Sequence, residues 1–335
     1  MVSGDVLILS GDDVRVLLDG REQEILAAAA AAYKAHGRGD SSLPHSLFLR
    51  FPADERSRII ALPAYLGDGF GIAGVKWISS FPANLEEGLD RASAVIILNS
   101  AKTGRPQAIM EGSVVSAKRT AASAALAALH LTARPPRTVG IIGCGPINFE
   151  VSRFLLAVWP ELSSFYVFDV DAERAKQFKE KSRQLNIEAE VVPELTTVLR
   201  EAELISFATT TGTPHVFSLS ECRPGSTILH VSLRDLSPEV ILSGDNVVDD
   251  VAHVCRALTS IHLAEQWTGT TDFIRCTLAE VLEGTAAPKK DPHALTIFSP
   301  FGLGVLDLAV AQLVTELASA KNRGTLLKNF LPTSN

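Results

Sequence analysis

Cysteine is scarce in the 335-residue chain, and the four present, Cys144, Cys222, Cys255 and Cys276, stand far apart with no Cys-x-x-Cys pair. That spacing excludes a zinc knuckle and a disulfide framework, and predicts reduced thiols in a cytoplasmic protein. The eight histidines show no metal-ligand spacing, and there is no Gly-x-Ser-x-Gly nucleophile elbow. Basic residues do not predominate. With 31 Lys and Arg against 38 Asp and Glu, the net charge of −7 argues against a nucleic acid or an anionic membrane as partner. No basic segment followed by an apolar core opens the chain, so no secretory signal is expected. The Ala27–Ala32 run is too short to cross a bilayer and continues into Tyr33-Lys34-Ala35-His36, which predicts a packed helix.

What is present is an ordinary globular composition, 46% hydrophobic and 21% charged, in a chain long enough for two domains. A strand at Val6–Leu9 and two helices, from about Asp12 and over Glu22–Gly37, come first. From Leu43 the periodicity changes to two, and five short strands are predicted at Leu47–Phe51, Ile59–Leu62, Ile72–Ser79, Ala94–Leu98 and Gln107–Glu111, mainly antiparallel. Ser113–Leu131 reads as one long helix, closed by Arg134-Pro135-Pro136, the best domain boundary in the sequence. Beyond it, strand and helix patterns alternate, as in a doubly wound parallel sheet. A helix is expected near Phe273–Leu282, a strand at Ala294–Phe298 and a final helix over about Val305–Ala320. The expected division is a substrate-binding and dimerisation domain of residues 1–133 and 305–335 around a Rossmann domain of residues 134–304.

The clearest chemical signal is Val139-Gly140-Ile141-Ile142-Gly143-Cys144-Gly145-Pro146-Ile147-Asn148. An apolar strand ends in Gly-x-Gly, a helix follows, and the next strand ends in Asp169, 24 residues past Gly145. This is the order of a dinucleotide-binding unit. Gly143 suits the tight turn, and Gly145 lets backbone approach a pyrophosphate at the helix N-terminus. Asp169 suits ribose hydroxyls and repels a 2′-phosphate, which favours NAD over NADP. Asn148 replaces the third glycine, so looser helix–strand packing is expected.

Other residues leave more open. Arg119 lies in the helix Ser113–Leu131 with no acid three or four positions away, so an external anion is at least as good a partner as solvent. Lys118 beside it is expected to reach solvent. Lys76 and Arg50 each interrupt an apolar strand, as an edge-strand charge or a site residue. Asp235 follows a predicted parallel strand, as a helix cap or a site residue. Thr209 and Thr210 follow another strand, facing a cofactor or simply forming a loop.

Taken together, Gly74-Val75-Lys76-Trp77, Leu98 through Gly104-Arg105-Pro106, Ala117-Lys118-Arg119-Thr120-Ala121-Ala122-Ser123, Ile142-Gly143-Cys144-Gly145, Ala208-Thr209-Thr210-Thr211-Gly212-Thr213-Pro214 and Phe301-Gly302-Leu303-Gly304-Val305-Leu306-Asp307-Leu308-Ala309 resemble the ornithine cyclodeaminase/mu-crystallin family over nearly the whole chain. Lys76 through Ser80 and Arg91 through Asn99 look most like one branch, the dehydrogenases of L-2,3-diaminopropionate synthesis in staphyloferrin B-type siderophore and peptide-antibiotic pathways. That resemblance implies a cytoplasmic homodimer that cleaves N-(1-amino-1-carboxy-2-ethyl)-glutamate oxidatively with NAD, giving 2-oxoglutarate and diaminopropionate. It implies a substrate-carboxylate clamp of Arg50, Lys76 and Arg119; because such a substrate is rich in carboxylates, Arg91, in the branch-like segment, is a candidate second anchor. It also implies catalytic roles for Asp235 and Lys76. Cofactor contacts are expected at Gly143, Gly145, Pro146, Ile147, Asn148, Asp169, Thr209, Thr210, Ser232 and Gly302. The family's Asp-x-Pro-Gly-Lys stretch is absent; Asp235-Leu236-Ser237-Pro238-Glu239 stands there. The alternatives are an ornithine cyclodeaminase (ornithine to proline and ammonia), a ketimine reductase or amino-acid dehydrogenase, and a non-catalytic cofactor-binding protein.

Overall fold

The computed structural model describes residues 4–289 and 291–332, so both extreme ends of the expected first domain lie outside the described residues. In chain order the first segment carries β1 (Val6–Leu9), α1 (Gly11–Leu18), α2 (Glu22–Gly37), β2 (Ser41–Ser42), β3 (Leu47–Phe51), β4 (Asp54–Leu66), β5 (Ile72–Ser80), β6 (Ala92–Ser100), β7 (Pro106–Glu111) and α3 (Ser113–Leu131). The middle carries β8 (Thr138–Ile142), α4 (Pro146–Val158), β9 (Ser164–Phe168), α5 (Ala172–Ser182), β10 (Glu188–Val191), α6 (Leu195–Glu201), β11 (Leu204–Phe207) and β12 (Thr227–His230). It continues through α7 (Pro238–Ser243), β13 (Asp245–Val248), α8 (Val251–Val254), α9 (Ser260–Thr268), β14 (Ile274–Thr277), α10 (Leu278–Leu282) and β15 (Thr296–Ser299). α11 (Gly304–Ala320) and β16 (Thr325–Leu327) close the chain.

The chain divides into two compact units, residues 1–119 with 303–335, and residues 120–302. The division falls inside α3, not at Pro135-Pro136. The second half of α3 is an alanine-rich, buried stretch, and Thr227 Oγ1 on β12 donates to the carbonyl of Leu131 at its end.

The first unit is built on one sheet, in the order β16-β1-β7-β6-β5-β4-β2 with β3 also on β4. All pairs are antiparallel except β1 with β7. β4 is a single strand from Asp54 to Leu66, longer than the Ile59–Leu62 expected. Pro63, which marks a break in sequence, is tolerated because β3 reaches only to Ala61 and β2 starts at Tyr65, leaving no partner at that edge. α11 packs on α2, β4 and β5. Its approach requires Gly74. A Cβ there would lie 2.3 Å from the Ile97 carbonyl oxygen and 2.9 Å from a Leu308 methyl.

The second unit is a wholly parallel eight-stranded sheet, β10-β9-β8-β11-β12-β15-β13-β14. Its central strands are buried throughout, as expected for a sheet covered on both faces. The helix expected at Phe273–Leu282 begins only at Leu278. Ile274–Thr277 is the edge strand β14, held there by Arg275, which pairs with Asp245 at 2.6 Å and caps the carbonyls of Ala287 and Pro288.

Candidate active site

The glycine loop joins β8 to α4 in the second unit. Gly143 has φ +89, and a Cβ on it would sit 2.6 Å from the Ala208 carbonyl oxygen, so no other residue fits. Gly145 is the N-cap of α4 with no side-chain cap, and Pro146 opens the helix. The space a Gly145 Cβ would occupy is open. Uncapped helix donors behind an unobstructed glycine fit a dinucleotide pyrophosphate, the Ile147 and Asn148 amides among them. Asp169 completes the loop: its carboxylate accepts from the Cys144 amide at 2.8 Å and the Asp171 amide at 3.0 Å. Burial, reinforced by Asp169, pushes the Cys144 thiol up to about 12, so this cysteine is inert.

Asn148 does not loosen the packing as its replacement of glycine suggests. It is fully buried. Its amide nitrogen donates to the carbonyls of Ile142 and Gly143 at 3.0 and 2.8 Å, and its oxygen accepts from Ser206 Oγ at 2.7 Å. The side chain is thus spent on tying the loop to β11, and only its backbone is left for a cofactor.

Asp235 follows β12 and is also fully buried. Thr209 Oγ1 and Ser232 Oγ each donate to its carboxylate at 2.5 Å. His230 Nε2 lies 3.3 Å from Oδ2 and 3.2 Å from the Asp235 amide nitrogen. A protonated Nε2 gives its hydrogen to the carboxylate, whereas a bare one accepts the amide N–H. Burial raises the Asp235 pKa, but the His230, Ser232 and Thr209 contacts outweigh it and hold the group at about 2. A carboxylate so well supplied with donors is a weak proton acceptor. Two expected cofactor contacts, Thr209 and Ser232, therefore spend their hydroxyls on Asp235. Leu233 between them has φ +69, a left-handed conformation that costs a non-glycine residue about 1–3 kcal/mol. Its carbonyl accepts from the Ser260 amide at 2.7 Å, which holds the turn.

Gly302, with φ +94, gives its amide to buried Asp249 at 2.7 Å, as Phe301 does at 2.9 Å.

In the first unit, Lys76, Ser116, Arg119 and Asp307 converge. Lys76 Nζ is 2.7 Å from Asp307 Oδ2 and donates to Ser116 Oγ at 3.0 Å. Arg119 Nε donates to Asp307 Oδ1 at 3.0 Å. The acid missing from Arg119's own helix therefore comes from α11. All three charges are buried, with 2% of Lys76, 8% of Arg119 and none of Asp307 exposed. Burial and then repulsion from Arg119 pull Lys76 down to about 8, against the attraction of Asp307. Lys118 is buried rather than solvated, with Glu22 at 3.9 Å.

Arg50 does not join this group. It lies opposite Arg58, which lies opposite Ser80 at the end of β5. Directly opposed residues share a face, so Arg50 is on the Lys76 face but two residue rows away. Arg91, just before β6, is half-buried. Asp307, His230 and Asp249 were not singled out from the sequence. Each is a polar residue inside an apolar run, and that was the available signal.

The family model described as "Ornithine cyclodeaminase/mu-crystallin family" matches residues 8–322. The chain is 28% identical to the N-((2S)-2-amino-2-carboxyethyl)-L-glutamate dehydrogenase of Staphylococcus aureus, over 97% of this chain and 99% of that one. It is also 28% identical to the alanine dehydrogenase of Archaeoglobus fulgidus, with the same coverage. Among solved structures, the Δ1-pyrroline-2-carboxylate reductase of Thermococcus litoralis, in complex with NADH and L-proline, superposes with a TM-score of 0.89 at 27% identity, covering 96% of this chain and 99% of that one.

Proposed function

Because the chain belongs to the ornithine cyclodeaminase/mu-crystallin family, whose relatives are NAD-dependent oxidoreductases acting on amino-acid CH–NH bonds, we propose that it oxidatively cleaves N-(1-amino-1-carboxy-2-ethyl)-glutamate to 2-oxoglutarate and L-2,3-diaminopropionate. The observation that carries this reading is the charge imbalance at Lys76, Arg119 and Asp307. Two buried cations share one carboxylate, and a substrate carboxylate supplies the missing negative charge. Overall identity is the same to the staphylococcal dehydrogenase and to the archaeal alanine dehydrogenase; the branch-like segments Lys76 through Ser80 and Arg91 through Asn99 are what favour this adduct over alanine or a cyclic imine.

Gly143, Gly145, the start of α4 and Asp169 would hold NAD, whose chemistry when bound is to accept the hydride from the glutamate Cα. Arg119 and Lys76 hold the α-carboxylate, fixing which C–H is presented. Below about 8 Lys76 is charged and completes the carboxylate clamp; as pH rises through 8 its neutral amine becomes able to take the amine proton, a role for which Asp235, at about 2, is unsuited. Asp235 instead orders Thr209, Ser232 and His230. Loss of hydride leaves a C=N bond, and water adds to its carbon and releases the primary amine.

The protein acts as a homodimer in this reading. Leu47, Ala61, Trp77 and Val95 form one cross-strand row on the sheet face opposite Lys76. Leu47, Trp77 and Val95 are 70%, 45% and 43% exposed. A second copy covers that apolar face; a monomeric mass in light scattering at micromolar concentration refutes it.

The decisive assay incubates the protein with the adduct and NAD. Steady NADH formation, with 2-oxoglutarate and diaminopropionate in equal amounts, is expected. With ornithine in place of the adduct, ammonia and proline formed without net NADH mean a cyclodeaminase, and binding without turnover of either means a cofactor-binding protein.

A further inference from the structure

The cross-strand row Arg50, Arg58 and Ser80 ends beside Arg91. Like charges directly opposite each other on a sheet are destabilising, yet Arg50 and Arg58 are placed so. Among the described residues none of the three arginines is ion-paired. Arg50 stacks on Phe48, 5.7 Å from its ring centre. Arg91 Nε and Ser80 Oγ are both buried with no hydrogen-bond partner. Burial and then Arg50 lower the Arg58 pKa; burial and then Arg58 lower that of Arg91. The three cations therefore feel one another, and among the described residues no acid pairs with them. Orphaned buried donors cost free energy until something accepts from them.

We propose that Arg58, Arg91 and Ser80, with Arg50, form a second anion subsite, which takes the side-chain carboxylate of a dicarboxylic amino-acid substrate. The position supports this. The row lies on the same sheet face as Lys76, and Ser80 is four residues further along β5, about 13 Å between Cα atoms at the usual strand rise. Long side chains at both ends shorten that gap. One molecule spans both sites only if it carries two anionic groups several bonds apart, as a glutamate unit does and alanine or proline does not. The inference rests on the proposed amino-acid chemistry and deepens it: the subsite selects the substrate class.

The test compares L-glutamate with L-glutamine, which differ only in the charged side-chain carboxylate. Both are titrated calorimetrically into the full-length, NADH-loaded protein, where no net oxidation of glutamate can occur. The wild type should prefer glutamate by roughly tenfold or more, as expected for charge-assisted contacts. In Arg58→Gln and Arg91→Gln the ratio should fall to near one, with glutamine and NADH affinities unchanged. Ligand-free Arg58→Gln should melt no lower than wild type, because a repulsion is removed, but its rise in melting temperature with glutamate should shrink. The subsite is refuted if the wild type shows no preference or if both variants keep it. Retained preference with loss of the dimer would assign the arginines to acids on a second copy and overturn the proposal. A glutamate preference without oxidation of the adduct would retire the proposed reaction and leave the subsite standing.

Discussion

Asp307→Asn removes the one carboxylate shared by Lys76 and Arg119 while keeping the shape of the side chain. Each ion pair, about 3 Å long, is worth roughly 5 kcal/mol at an effective dielectric of about 20 before desolvation is set against it. Breaking a buried pair by removing one partner typically costs about 3–5 kcal/mol, because the remaining charge stays buried. Here two cations remain, so the upper half of that range is expected at pH 6, where Lys76 carries its proton. The folded protein already holds Lys76 at about 8 against an ordinary 10.5. A lysine depressed in the fold costs stability while it is charged, and that cost is relieved as pH rises from about 8 to 10.5. In Asp307→Asn the attraction that raises Lys76 is gone, so its pKa falls further and the relief starts at lower pH. The stability deficit relative to wild type should therefore be largest at pH 6 and shrink by pH 9, though Arg119 remains unpaired. Urea unfolding across that range measures the deficit. The pH profile of kcat/KM for oxidation should show its rise near 8 in wild type and at lower pH in the variant. A variant as stable as wild type at pH 6, with the rise unmoved, refutes the shared-carboxylate account of this site.

Replacing Arg119 with Ala should cost about 2–4 kcal/mol of transition-state binding, roughly 30- to 1,000-fold in kcat/KM, with Arg119→Lys recovering part and NADH titrations unchanged. Near-wild-type kcat/KM in Arg119→Ala would remove it from the carboxylate site. Wild type should bind NADH more tightly than NADPH, and Asp169→Ala should narrow that gap while weakening both, since the Cys144 amide loses its acceptor; calorimetry with both cofactors decides. The Asp235 carboxylate, lowered from 3.8 to about 2, contributes roughly 2 kcal/mol of stability that is complete above about pH 4 and lost as pH falls towards 2. Acid unfolding of Asp235→Asn should lack that component, and no rise or fall in activity between pH 5 and 9 should disappear with it.

The parallel sheet was legible because its strands are continuous apolar runs closed by glycine or an acid, and the glycine loop because φ +89 at Gly143 admits nothing else. Boundaries failed where a local signal was overruled by a missing neighbour. Pro63 looks like a terminator, but it falls in a gap between two flanking strands. Ile274–Thr277 looks like the first turn of a helix, but Asp245, thirty residues earlier, captures Arg275 and keeps the segment extended. The division of α3 between units left no trace in composition, because alanine suits an exposed helix and a tightly packed one equally well.

At the candidate site the sequence shows isolated charges and the fold shows which of them answer each other. Lys76 is alone in an apolar strand, Arg119 is alone among small residues, and Asp307 is alone in the first turns of an apolar helix. Each, taken singly, has a structural explanation as good as a functional one. Gly74 decides the matter, because its missing Cβ lets Leu308 close on β5 and sets Asp307 against Lys76 and Arg119. Three buried charges then sum to one uncompensated positive charge. A fold needing these groups only for stability would gain by replacing them with well-packed apolar residues, which are often neutral or better than a buried ion pair. Retaining an unbalanced set, one member of which is a lysine held at about 8, is costly for folding and useful for binding an anion and moving a proton. The arginines at Arg50, Arg58 and Arg91 repeat the pattern with no acid paired to them among the described residues, so both imbalances have the same sign, and a substrate carrying two carboxylates cancels both.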